Sequence, residues 1–332
     1  MALQYSFTPS KACIFWAPDQ SERFVNSLFP NQKVADNSRA RPEMSRKAQR
    51  RIRQVINWMC YLSRHRNVRT PEGKIIKGFQ IAFVTLTLPT KQMHPHKEIV
   101  SKCLNRFLTE ARRKWGVENY VWKLELQKNG NIHFHITWDK FVRWQDIRTQ
   151  WNNAISKLGY TAAYQNQMQQ LSFQEYCYWR RQNGSVSKKR LQEAYDYGQR
   201  TQWQNPNSTD VRNVKDIKNL ASYLSKYLSK PAADSETTGL IADSLEELTG
   251  RLWYCSQSLS RLKTAVEPFE AQISRFFRHL VKKCSFFISP NDFVEVAYFR
   301  LNKLGANAKD FLREILVSHA INQYYPFPAG LP

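Results

Sequence analysis

Glu125-Leu126-Gln127-Lys128-Asn129-Gly130-Asn131-Ile132-His133-Phe134-His135-Ile136-Thr137-Trp138 is the stretch that decides the reading, because two histidines flank one large apolar residue in a run composed like a strand. Side chains on a strand alternate faces, so His133 and His135 project to one side while Phe134, Ile136 and Trp138 project to the other and can pack into a core. Two imidazoles on successive rungs of one face suit a divalent cation. A carboxylate is the natural third ligand where coordination positions must stay open to substrate. Taken alone, His-Phe-His is explained equally well by two surface histidines on an ordinary hairpin.

Glu125 precedes His133 by eight residues, and hairpin parity decides whether it can be the third ligand. In the preceding run Tyr120, Trp122, Leu124 and Leu126 alternate with Val121, Lys123, Glu125 and Gln127, so the apolar face excludes Glu125. A two-residue Asn129-Gly130 turn would set Leu126 opposite His133 and turn Glu125 away. A three-residue Lys128-Asn129-Gly130 loop, with glycine left-handed in a bulge, sets Glu125 opposite His133 and Lys123 opposite His135. The second arrangement is expected, since it also hides Leu126 and Ile132 on the core side.

The chain is long enough for one large domain with appendages. Its formal charge of +23, with 13% aromatic residues, points to a polyanion and first to nucleic acid. Six cysteines without a Cys-x-x-Cys pair argue against a zinc ribbon and for reduced thiols. No signal peptide or membrane span is apparent, so a soluble cytoplasmic or nuclear protein is expected.

Residues 1 to about 40 carry no strong period. From Ser45 a helix is expected, apolar at Ile52, Val55, Ile56, Met59 and Leu62 and cationic elsewhere, with Arg50, Arg51 and Arg53 as phosphate contacts. Gly73 and Gly78 have phosphate-loop spacing without the lysine that must follow, and read as a turn into the strand Phe79–Pro89. Thr85 and Thr87 share one face of that strand and either line a site or are ordinary strand residues. Proline inside His94-Pro95-His96 removes the alternation that makes His133 and His135 useful, so this second His-x-His is set aside. An amphipathic helix from Ile99 to Trp115 carries Arg112 and Arg113 outward, and a helix from Gln145 to Leu158 ends at Gly159. The order strand, helix, strand, strand, helix is that of an α+β, ferredoxin-like antiparallel sheet. Residues 160–208 mix aromatics, from Tyr160 to Trp203, with Arg180, Arg181, Lys188 and Lys189. They make either a groove for single-stranded nucleic acid or a helical insert with its own core.

Asp210–Val214 could add one more strand, and Asp216 caps a helix from Ile217 to Lys230, ended by Pro231. Tyr223 and Tyr227 lie one turn apart at the edge of its buried stripe, with Lys226 and Lys230 just beyond. A hydroxyl with a pKa near 10 is a weak nucleophile, so it needs an electrophile polarised by a metal, and the lysines can neutralise charge on a transferring phosphoryl group.

Val84-Thr85-Leu86-Thr87-Leu88, His133-Phe134-His135 with Glu125, and Tyr223-Leu224-Ser225-Lys226-Tyr227 together resemble the motifs of the HUH endonucleases, above all the two-tyrosine rolling-circle initiators of microviruses and related plasmids. The resemblance covers about residues 78–231. It implies a Mg²⁺- or Mn²⁺-dependent nick in single-stranded origin DNA, a 5′-phosphotyrosine intermediate, rejoining of ends, and dependence on a host helicase and polymerase. Relaxases and transposases of the same family are the nearer alternative, and a non-catalytic single-stranded nucleic-acid-binding protein the farther one. The expected organisation is a basic region over 1–77, a nicking domain over 78–231 and a helical region over 232–332.

Overall fold

Tyr5 and Phe7 alternate with less buried neighbours, and both are fully inside. They belong to β1 (Ala2–Thr8), which pairs antiparallel with β2 (Lys11–Ala17), Thr8 opposite Lys11. The computed structural model describes residues 2–9, 11–17, 46–63, 65–69, 73, 75–127, 129–181, 186–213, 252–262, 265–268, 270–291, 294–299 and 303–321. The helix expected from Ser45 spans Arg46–Leu62 and buries Ile52, Val55, Ile56 and Met59 completely. A ribbon follows, β3 (His65–Arg69) with β4 (Ile75–Phe79), and Gly73 turns it at a φ of +82°, open to glycine at little steric cost. The single strand expected over 79–89 is therefore two: β4 ends at Phe79, and the chain re-enters a different sheet as β5 (Ala82–Thr87).

A π-helical segment, Ile99–Leu104, runs into the helix Asn105–Trp115, and β6 (Tyr120–Leu126) and β7 (Ile132–Trp138) follow. The next helix is Trp144–Ile155, with a tight turn Ser156–Leu158 ending at left-handed Gly159, as the sequence implies. After the inserted helices come β8 (Thr209–Asn213) and then, past residues outside the description, β9 (Trp253–Cys255). These strands form one antiparallel sheet in the order β8-β5-β7-β6-β9, the expected α+β arrangement with β9 added at one edge. One face packs Val84, Leu86, Leu124, Phe134, Ile136 and Trp138 against Phe107, Leu108, Ala111, Ile147 and Trp151 of the two helices.

The other face is half covered. Phe83, Val121 and Cys255 join a second core with the helix Arg46–Leu62. Above it lies a second antiparallel sheet, built with β10 (Ala265–Pro268), β11 (Cys284–Asn291) and β12 (Val294–Phe299) in the order β10-β1-β2-β12-β11. In the region expected to be helical, helices span Ala271–Lys283 and Ala306–Ile321. The tail is not wholly helical, however: it alternates helices with strands whose partners, β1 and β2, are the first in the chain.

The insertion, helices Tyr160–Gln169, Phe173–Arg181 and Lys188–Arg200, closes around its own small core of Met168, Tyr176, Leu191 and Trp203, with Tyr164, Phe173, Trp179 and Tyr195 against it. Of the two readings of this segment, the helical insert with an internal core is the one the structure holds. Tyr160 belongs elsewhere, buried in the core of the β5–β7 sheet.

Candidate metal centre

Gln127 N–H donates to Asn131 O at 2.8 Å and Gly130 sits at a φ of +81°, so the β6–β7 hairpin closes between Gln127 and Asn131. The three-residue loop, not the two-residue turn, sets the register: Glu125 opposite His133, Lys123 opposite His135, Leu126 opposite Ile132. Ile132 is buried and Leu126 packs against the same core. A second clamp steadies this end of the sheet. Asn131 Nδ2 donates to Thr90 O at 2.7 Å, its Oδ1 accepts from Gln92 N–H at 2.8 Å, and Gln92 Oε1 accepts from Ile132 N–H at 3.0 Å.

On the half-covered face the register brings three donors together. Glu125 Oε2 lies 2.8 Å from His135 Nε2 and 3.3 Å from His133 Nε2, and the ligand atoms of all three residues fall within 4.8 Å of one another. Two nitrogens and one oxygen in that space fit a divalent ion with positions left for water or phosphate. The side chains remain 12–17% exposed, so the centre is reachable from solvent. Thr85, aligned with His135 across β5 and β7, places Oγ1 3.1 Å from His135 Nδ1. With an ion bound in place of the Nε2 contact to Glu125, the hydroxyl would accept a hydrogen bond from Nδ1–H and leave the Nε2 lone pair to the metal, which is how an outer hydrogen bond sets a ligand's tautomer. Phe83 stacks on the same ring at 5.4 Å and fixes its plane.

Burial disfavours the Glu125 carboxylate, but hydrogen bonds to His133 and His135 and the charge of Lys123 outweigh it, so Glu125 titrates well below the usual carboxylate range. His133 is held below the usual imidazole range by burial first, then by the adjacent His135 ring and the charge of Lys123, against the pull of Glu125. Both residues are thus in the protonation state a metal ligand needs at neutral pH.

Sequence alone does not single out Lys123, because a lysine in an alternating strand reads as solvated. Its side chain is 1% exposed, and its Nζ donates to Glu125 Oε1 at 2.6 Å. The hairpin parity that places Glu125 is the available signal, since it puts Lys123 on the same face.

The other histidine pair is engaged elsewhere: His94 packs edge-on against Tyr160, whose hydroxyl accepts from the backbone N–H of Met93 and His94. Among the expected phosphate contacts, Arg50 and Arg53 are exposed, whereas Arg51 ties its helix to the carbonyls of Leu259, Ser260 and Leu262. Arg112 and Arg113 are exposed on the helix that packs against the opposite face of the sheet, so they do not converge on the metal centre. Arg181, Lys188 and Lys189 are exposed on the insertion, and Arg180 lies beside the Trp179 ring. Tyr223, Tyr227, Lys226 and Lys230 lie outside the described residues.

Residues 81–232 match the model of a family described as replication-associated proteins of the ORF2 type. The matched segment, a little under half of the chain, is similar to that replication-associated family. The match is nearly coextensive with the stretch carrying the resemblance to rolling-circle initiators, and it supports a role in rolling-circle DNA replication and an interaction with DNA. It contains the Glu125, His133 and His135 cluster and runs past Tyr227. No curated protein and no solved structure matches the chain. Among the described residues, no helix is long and apolar enough to cross a membrane.

Proposed function

We propose that the chain is a metal-dependent single-strand nickase and strand transferase that initiates rolling-circle replication. The observation that carries this is the convergence of Glu125, His133 and His135 on the reachable face of the sheet, within the segment matched to replication-associated proteins. Glu125 Oε2 and the two Nε2 atoms would hold Mg²⁺ or Mn²⁺. When bound, the ion withdraws electron density from a phosphodiester oxygen and makes phosphorus easier to attack.

The chain's own residues do the rest. Thr85 and Phe83 hold His135 in orientation, and the hairpin clamp at Asn131 holds Glu125 opposite His133. The hydroxyl oxygen of Tyr223 or Tyr227 attacks phosphorus and loses its proton to solvent, and the bond to the 3′ oxygen breaks as that oxygen takes up a proton from solvent. The products are a 5′-phosphotyrosine and a free 3′-hydroxyl from which a host polymerase can extend. Lys226 and Lys230 neutralise charge on the transferring group. Two tyrosines four residues apart in the sequence allow one to hold the parental end while the other cuts the regenerated origin, and attack by the freed 3′-hydroxyl rejoins the ends. A host helicase opens the duplex. The exposed cations Arg50, Arg53, Arg181, Lys188 and Lys189 contact the strand.

The test is incubation with single-stranded DNA from the origin of the source genome in Mn²⁺, read on a denaturing gel. The expected result is a slower protein–DNA adduct, lost with chelator and in Tyr223→Phe/Tyr227→Phe. DNA binding without an adduct under any of these conditions would replace the nickase with a binding protein.

A further inference from the structure

Glu125 presents its two oxygens to different partners. Oε2 faces both imidazoles, at 2.8 and 3.3 Å, while Oε1 accepts from Lys123 Nζ at 2.6 Å. Lys123 is locked in the sheet interior, aligned with His135 on one side and Trp253 of β9 on the other, and at 1% exposure it cannot reach a DNA phosphate. Burying a lysine to make an ion pair is a poor way to stabilise a fold, because desolvation offsets most of the attraction. A pair of apolar residues in place of Lys123 and Glu125 would stabilise the sheet as well or better. The lysine is better explained by what it does to the carboxylate.

We propose that Lys123 is a positioning residue that restricts Glu125 to one-oxygen ligation, and that the positive charge it places behind the site keeps a divalent ion weakly held and selects Mn²⁺ or Mg²⁺ over Ca²⁺. The proposal rests on the metal centre of the proposed function. Ca²⁺ favours six to eight oxygen ligands and readily takes both oxygens of a carboxylate, whereas the smaller ions accept one oxygen and strict octahedral geometry. With Oε1 committed to Lys123, the bidentate mode is closed. Two like charges a few ångströms apart in a partly buried setting also repel far more than they would in water.

The experiment titrates Mn²⁺ calorimetrically into the wild-type chain, Lys123→Met and Lys123→Arg, then competes Ca²⁺ against bound Mn²⁺ by electron paramagnetic resonance. In Lys123→Met the expected result is Mn²⁺ binding tighter by about tenfold or more, from removal of the repelling charge. The preference for Mn²⁺ over Ca²⁺ should narrow by about fivefold or more as the second oxygen becomes available. Lys123→Arg, which keeps the charge and the donors, retains the wild-type preference. Unchanged or weaker Mn²⁺ binding in Lys123→Met, or an unchanged preference, overturns the proposal and leaves the metal centre standing. Should Lys123→Met not fold, Lys123→Gln, which removes the charge but keeps a polar side chain, is read by the same two criteria: tighter Mn²⁺ binding with a narrowed preference supports the role, and no change in either overturns it. A wild-type chain that binds no Mn²⁺ at all removes the metal centre, and this role with it.

Discussion

Replacing Glu125 by glutamine keeps the shape of the side chain and removes its charge. The amide oxygen can still accept from Lys123 Nζ, now 2.6 Å away, but the buried ammonium loses its counter-charge. Removing one partner of a fully buried pair costs about 3–5 kcal/mol. Here the retained hydrogen bond and the 17% exposure of Glu125 reduce that to about 2 kcal/mol. At roughly 2–4 °C per kcal/mol for a domain of this size, Tm should fall by about 4–8 °C in chelator at pH 7. The pH dependence has a definite sign. The folded-state pKa of Glu125 is depressed, so its stabilisation is fully present above the unfolded value near 4.3 and is lost as pH falls through the folded value. Glutamine does not titrate, so the gap between wild type and Glu125→Gln should be constant near neutrality and close in acid, below about pH 4. Scanning calorimetry at several pH values, in chelator and then in Mn²⁺, reads both effects, with the Mn²⁺-dependent rise in Tm largely lost in the variant. A fall in Tm below about 1 °C at pH 7, or a gap that persists unchanged into acid, would refute the claim that Glu125 carries a buried, paired charge.

Three further outcomes follow from other parts of the structure. In the metal-free chain, an NMR titration should give His133 an apparent pKa below the ordinary 6.5, and a value at or above it contradicts the burial that holds the ring neutral. Gly198→Ala places a methyl group 2.3 Å from the Trp203 ring, which is itself packed in the core of the insertion. The overpacking should destabilise the insertion by about 1–3 kcal/mol despite the better helix propensity of alanine, seen as faster proteolysis between 160 and 208, while wild-type cleavage rates would contradict that packing. Thr85→Val removes the acceptor 3.1 Å from His135 Nδ1 and should weaken Mn²⁺ binding about tenfold or more without loss of fold, whereas unchanged affinity by calorimetry would exclude the orienting role.

The sheet that carries the centre was legible because its signals are local. Alternation through Tyr120–Leu126, a glycine suited to a left-handed loop position, and the need to hide Leu126 and Ile132 together set a register that puts Glu125 opposite His133. The same register places Lys123, but only the packed sheet shows that its ammonium is enclosed. The second sheet was not read at all. Leu3, Tyr5 and Phe7 do alternate, but a short hairpin gains stability only from its neighbours, and those come from residues 265–299. The aromatics of the insertion misled in part, because composition does not distinguish rings that stack on bases from rings that stack on one another. Most turned inward, and Tyr178 and Tyr197, 73% and 59% exposed, are those left to meet a ligand.

The central claim is a covalent bond between a tyrosine of the 217–230 segment and the 5′ end of cut DNA. The direct measurement is mass spectrometry of the adduct after protease and nuclease digestion, formed on origin single strand in Mn²⁺. The account predicts a nucleotide linked through phosphate to Tyr223 or Tyr227, together with a 3′-hydroxyl on the released strand. A cut strand carrying a 5′-phosphate with no linked peptide would show hydrolysis by water at the metal centre and contradict it.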